Sequence, residues 1–209
     1  MIPFFILGIS HIMNKQAMFL ALSLTALSNV HAAGVDVDAG KDAFETCRGC
    51  HTSPGTSNVY PTYYVPKIGG QHPSYTVAAL KAYKASNRPH RTMMANTISM
   101  SDSTMANVAA YLATVDGSTK AIQNGGDAKK GKVLAAACIA CHNGDIETDS
   151  SNPILAGQHA NYLERAISEY QSGKRTSPLM QSMVQGLSED DVKDIAAYFT
   201  NQKGLTTVE

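Results

Sequence analysis

Two cysteines three positions apart, followed at once by a histidine, occur twice in this chain: Cys47, Cys50 and His51 in ETCRGCHTS, and Cys138, Cys141 and His142 in CIACHNG. Thiols at this spacing admit four chemistries. They could close disulfides, which are usual in exported proteins. They could form a thiol redox pair, which needs a βαβ setting that the pattern here does not supply. They could jointly ligate zinc, although that requires neither a histidine in the same place each time nor a separate domain around each pair. Or they could anchor a larger group. C-x-x-C-H reads as the attachment motif of c-type haem. Two thiols on one helical turn reach the two vinyl groups as thioethers, and the adjacent imidazole becomes the proximal iron ligand.

The doubling belongs to a longer repeat. Gly40-Lys41 matches Gly131-Lys132 at the same offset of 91 residues that separates the cysteine pairs. Downstream the offset is 87: Pro66, Gly70, Gln71 and His72 match Pro153, Gly157, Gln158 and His159, and Tyr75, Tyr83 and Arg88 match Tyr162, Tyr170 and Arg175. Met93 then matches Met180, and Ala109-Ala110-Tyr111 matches Ala196-Ala197-Tyr198. The difference is an insertion of four residues between His51 and Pro66. Self-similarity this long marks a duplicated domain. Two copies of about 85 residues are each too small to be very stable without a staple or cofactor. Two C-x-x-C-H motifs in a duplicated, exported chain select two covalently attached haem c groups.

The repeat also nominates distal ligands. Met93 and Met180 each lie 22 residues after the Gln of a G-Q-H segment, in expected loops ahead of the third helix. Methionine is ordinarily core filler, but both lie in polar surroundings (NRPHRTMMANT and GKRTSPLMQSMVQG). A thioether on haem iron raises the reduction potential and closes the site to outside ligands. Met94 and Met183 adjoin them without corresponding to each other. His72, His159 and His90 are alternatives. His72 and His159 do correspond, so bis-histidine ligation stays open, although a surface or helix-start role is simpler for both.

The elements that must position these groups repeat too. Short helices lead into each cysteine pair, from about Ala39 to Cys47 and from Ala128 to Cys138. Apolar spacing predicts second helices over Ser74–Ser86 and Ala160–Ser172, and third helices beginning at Ser101 and Ser188, the latter with acids in its first turn. No strand-like alternation intervenes, so the fold class is all-α. With 44% hydrophobic residues, 16% charged and Lys+Arg equal to Asp+Glu at 17 each, neither a nucleic-acid partner nor disorder is expected. MNKQAMFLALSLTALSNVHAAG, from Met13, has a basic start, a short apolar run and a small-residue cleavage site, as in a secretory signal. The expected organisation is a signal peptide over 1–32, with Met13 an alternative start, a first domain over 33–116, a linker over 117–127 and a second domain over 128–209.

The chain resembles the dihaem class I cytochromes c of the cytochrome c4 type. The resemblance is carried by C-R-G-C-H and C-I-A-C-H, P-K-I-G-G-Q-H and P-I-L-A-G-Q-H, the Tyr and Arg of the second helices, the Met that follows, and the closing MSDSTMANVAAYL and LSEDDVKDIAAYF. It covers residues 36 to about 203. It implies two tandem cytochrome c domains packed about a pseudo-twofold axis, with haem propionates near the contact. It also implies proximal ligands His51 and His142, distal ligands Met93 and Met180, and Pro66 and Pro153 carbonyls hydrogen-bonded to the imidazoles. Arg88, Arg175, Tyr75 and Tyr162 would lie near the propionates or the domain contact. The first copy departs from the second in its longer segment after His51.

Iron with both axial positions filled by protein binds substrate poorly and exchanges single electrons well, and no acid–base set recurs in both copies. The expectation is a periplasmic electron carrier and not an enzyme, with a quinol–cytochrome c reductase-type donor, a terminal-oxidase-type acceptor and at most weak membrane association. The alternative is the dihaem cytochrome subunit of a periplasmic dehydrogenase, such as a sulfide-oxidising flavocytochrome. A haem enzyme with an open iron site is a third class. Residues 33–120 carry eight basic and six acidic side chains, and residues 121–209 eight and eleven. That dipolar distribution suits different partners for the two halves, or simply reflects drift in surface charge.

Overall fold

A helix that must end in a cysteine pair needs a firm start, and Asp36 provides one: its carboxylate accepts from Ala39 N at the head of α1, Val37–His51. This is a computed structural model that describes residues 34–53, 55–58, 62–117, 119–142 and 149–208. The expected signal peptide over 1–32 lies outside the described residues, and residues from Val35 onward form one compact unit. After α1 come α2, Pro73–Lys84, α3, Arg91–Thr97, and α4, Asp102–Thr114. The second half repeats the order with α5, Ala128–Leu134, α6, Ala136–His142, α7, Ala160–Gln171, α8, Pro178–Val184, and α9, Glu189–Thr200. Among the described residues there are no strands, only isolated bridges between Ser57 and Tyr64 and between Gly69 and Thr206. The fold is all-α.

Two expectations need correction. The helix expected from Ala128 to Cys138 is two helices. Ala135, with ψ near 0°, lies between them, and the Cys138 amide bonds to the Ala135 carbonyl three residues back. Met93 and Met180 are not in loops but in the short helices α3 and α8. Local caps form these helices: His90 Nδ1 accepts from Met93 N at 3.2 Å, and Ser177 Oγ from Met180 N at 3.3 Å. Seven residues are too few for apolar periodicity to announce a helix.

In each half the cysteine-bearing segment is held against the last helix by the same device. A Cβ on Gly40 of α1 would sit 2.0 Å from the Asn107 carbonyl oxygen of α4, and one on Gly131 of α5 1.9 Å from that of Asp194 on α9. Only glycine permits that approach. The side chains of Asn107 and Asp194 also accept from Asp36 N and Asp127 N, at 2.9 and 2.8 Å. Beside these crossings lie the two cores. One comprises Phe44, Val108 and Leu112. The other comprises Ala135, Ala160, Leu163, Ile195, Ala196 and Phe199.

The halves are joined by reciprocal bonds. Gln158 takes Lys67 N on its Oε1 and gives its Nε2 to Lys67 O, at 2.9 and 2.8 Å. Gln71 does the same to Ile154 N and O, at 2.9 and 3.2 Å. Because Lys67 corresponds to Ile154 and Gln71 to Gln158, exchanging the halves maps one pair of bonds onto the other, which is a pseudo-twofold relation. The insertion also packs against the second half, with Tyr64 N donating to Asn161 Oδ1 at 3.2 Å and the Tyr63 and Tyr162 rings 6.2 Å apart. The C-terminal tail crosses back. Thr206 pairs with Gly69, and Val208 completes the first-half core.

Candidate functional site

Each C-x-x-C-H ends a helix: His51 is the last residue of α1 and His142 the last of α6. Both imidazoles are held by a carbonyl. His51 Nδ1–H donates to Pro66 O at 3.0 Å and His142 Nδ1–H to Pro153 O at 2.7 Å. A carbonyl can only accept, so Nδ1 carries the proton and Nε2 keeps its lone pair. Burial pushes both imidazoles below the usual histidine range, partly offset by these bonds, so both rings are neutral and able to ligate a metal. No disulfide joins the four cysteines, and burial raises the thiols of Cys47 and Cys138 above the ordinary thiol range. Among the described residues no three His, Cys, Asp or Glu side chains converge.

One largely apolar cavity runs through both halves. It is lined by Cys47, Cys50, His51, Pro66, Tyr75, Arg88 and Met93, and by Cys138, Cys141, His142, Pro153, Tyr162, Arg175 and Met180. The structure thus brings to one lining the cysteines, histidines, methionines, prolines, arginines and tyrosines that the resemblance assigns to the site. Of the alternative distal groups, His90 and Met183 reach the lining, whereas His72, His159 and Met94 do not. His72 and His159 occupy the N-caps of α2 and α7. They are buried and not on the surface, and the His159 ring lies 5.5 Å from that of Tyr64 in the first half. His159 Nδ1 accepts from Ile122 N at 3.1 Å, and burial and the nearby Lys67 lower its pKa to about 4.

At the junction the two arginines meet tyrosines from both halves. Arg88 donates to Tyr75 Oη at 3.0 Å and across the junction to Tyr162 Oη at 2.7 Å, with its guanidinium 4.8 Å from the Tyr83 ring centre. Arg175 donates to Glu169 Oε2 at 2.6 Å, and Glu169 also accepts from Arg165 Nε at 2.7 Å. The first copy has Ala82 and Ala78 where the second has Glu169 and Arg165. Among the described residues Arg88 therefore has no carboxylate, and its buried Nε has no partner.

The cytochrome c family model matches residues 37–116 and again 128–203. The chain belongs to the cytochrome c family. It is 30% identical to cytochrome c4 of Azotobacter vinelandii over 89% of this chain and 98% of that one. The structure of reduced cytochrome c4 from Pseudomonas stutzeri superimposes with a TM-score of 0.69 at 25% identity, covering 80% of this chain and 98% of that one. The cytochrome subunit of sulfide dehydrogenase from Chlorobaculum tepidum is 32% identical over 34% of this chain and 66% of its own length. This is a cytochrome c of the c4 type, with two covalently attached haem c groups.

The residues present fit those groups. A buried guanidinium with a free Nε suits a propionate, apolar side chains suit a porphyrin face, and each half sets two thiols beside a neutral imidazole. Sequence reasoning missed Glu169 and Arg165, which occur in one copy only and so left no trace in the repeat. It also assigned nothing to Gln71 and Gln158, although their shared register was the signal that marked them.

Proposed function

We propose that this protein is a periplasmic carrier that moves one electron per haem between respiratory-chain components, from a quinol–cytochrome c reductase-type donor toward a terminal-oxidase-type acceptor. Bound haem supplies the one-electron couple. Cys47, Cys50, Cys138 and Cys141 would hold the two groups as thioethers. His51 and His142 would ligate through Nε2, each ring kept in one tautomer and orientation by a proline carbonyl. Met93 and Met180 would fill the opposite positions, and the apolar lining would keep water from the irons. Arg88, Arg175, Tyr75 and Tyr162 would receive the propionates. The observation that carries this reading is that each half brings the neutral histidine of its C-x-x-C-H motif and the methionine in matching register, Met93 or Met180, to the same apolar cavity. Export fits the signal-like start. Among the described residues no helix is long and apolar enough to cross a membrane.

The experiment is a spectroscopically monitored redox titration of the holoprotein with Met93→Ala and Met180→Ala. Each variant should lose about half of the methionine-to-iron charge-transfer absorption and gain carbon monoxide binding at one haem, on the expectation that thioether ligation closes the site. An unchanged band in either variant overturns that ligand.

A second reading is the cytochrome subunit of a larger dehydrogenase. It is favoured by Leu179 and Met183, apolar residues that line the second-half cavity yet are 63% and 44% exposed. Sedimentation of the protein as isolated from its host separates the two: a single small species supports the carrier, and a stable flavoprotein complex supports the subunit.

A further inference from the structure

We propose that each half tunes the proximal ligand of the other. Gln158 and Gln71 are positioning residues that act crosswise, each through a single peptide group, on the imidazoles of His51 and His142. The inference rests on the ligand reading above.

The contacts are short and made in both directions. His51 Nδ1–H donates to the Pro66 carbonyl at 3.0 Å. The N–H of that same peptide unit belongs to Lys67, and it donates to Gln158 Oε1, from the other half, at 2.9 Å. In the second half His142 Nδ1–H donates to the Pro153 carbonyl at 2.7 Å, and the N–H of that peptide, on Ile154, donates to Gln71 Oε1 at 2.9 Å. Both carboxamides are locked in place. Gln158 Oε1 also accepts from His159 N at 3.0 Å while Nε2 donates to Lys67 O at 2.8 Å. Gln71 Oε1 also accepts from His72 N at 3.0 Å while Nε2 donates to Ile154 O at 3.2 Å. Backbone N–H and C=O groups cannot exchange roles, so the network sets which end of each amide is oxygen. Both side chains are buried, so water does not compete for these bonds.

A peptide group polarises as a unit. An acceptor on its N–H makes its carbonyl oxygen more negative, which strengthens the bond that oxygen accepts from the imidazole. A firmer bond at Nδ1–H makes the ring a more basic ligand, which favours oxidised iron and lowers the potential. The glutamine thus reaches the ligand of the opposite half without touching it. A glutamine that only clamps the halves together would affect both ligands alike or neither.

The test reads the ring Nδ1–H signals of His51 and His142 by nuclear magnetic resonance in the fully reduced, nitrogen-15-labelled holoprotein, together with the midpoint potential of each haem. Both rings should show the ring-current displacement of an axial ligand in the unmodified protein. If one does not, the ligand assignment fails before any variant is made. Gln158→Met should move the His51 Nδ1–H signal to lower frequency, speed its exchange with solvent and raise the potential of the first-half haem, leaving His142 in place. Gln71→Met should do the reverse. Gln158→Asn and Gln71→Asn keep the carboxamide but withdraw it, and serve wherever a methionine variant retains fewer than two haems. They should shift the same opposite-half signals by less. Shifts confined to the substituted half, equal shifts in both halves, or none would overturn the proposal.

Discussion

Lys67 is a cation buried where the halves meet, and its removal gives a test with a definite sign. The residue is only 2% exposed, and its side chain has no carboxylate partner among the described residues. The ammonium donates to the carbonyl oxygens of Thr119 and, at 3.3 Å, Leu205. Burial lowers its pKa to about 8, from 10.5. The folded state therefore holds the proton less tightly than the unfolded chain, and stability rises with pH while the unfolded lysine is still protonated. At neutral pH the charge costs about 3 kcal/mol, at about 1.4 kcal/mol per pKa unit. Between pH 8 and pH 10 about 2 kcal/mol of this returns, as the folded lysine deprotonates first. Lys67→Met removes the charge but leaves two carbonyls without their donor, about 1 kcal/mol each, so at pH 7 the variant should come out near the wild type or about 1 kcal/mol above it. The pH slope is the sharper observable. Denaturant unfolding of both holoproteins at intervals from pH 7 to pH 10 should show the wild type gaining about 2 kcal/mol on the variant over the upper two units. A difference that is flat, or that moves in favour of the variant as pH rises, would refute the account of Lys67 as a desolvated cation.

Three further outcomes follow from the packing. Gly40→Ala and Gly131→Ala should each lose about 2 kcal/mol in thermal melts, because overpacking against a backbone carbonyl outweighs the gain of about 1 kcal/mol in helix propensity. Gly186→Ala, whose added methyl would have nothing within 4 Å, should stay within roughly 0.5 kcal/mol of the wild type. Glu169→Gln strips the carboxylate from Arg175 and Arg165 together and should lower stability to denaturant by about 3 kcal/mol; a loss under about 0.5 kcal/mol would mean that the cluster is solvated. Ser188→Ala removes the hydroxyl that accepts from Asp191 N at 3.2 Å in a capping box. It should cost about 1 kcal/mol, measured by the same denaturation series.

The sequence by itself determined the chemistry and the doubling. Attachment of haem is a matter of local spacing: two thiols and an imidazole on one turn are legible wherever they occur, and a second copy in register removes chance. Helix starts at Ser101 and Ser188 were legible for the same reason, since a cap acts over three residues. Tertiary structure decided whatever joins residues far apart in the chain or occurs in one copy only. The short helices under Met93 and Met180 depend on caps from His90 and Ser177 that no periodicity reveals. His72 and His159 look like surface helix starts, but the fold buries both. The Glu169 cluster, the packing of the insertion on α7 and the return of Val208 to the first-half core all lack a counterpart in the repeat. The crosswise bonds of Gln71 and Gln158 show the division most directly. Their shared register is plain in the sequence, but a glutamine declares its partner only once the fold places a buried backbone N–H and C=O within its reach, because an unmet polar group there would be too costly to leave.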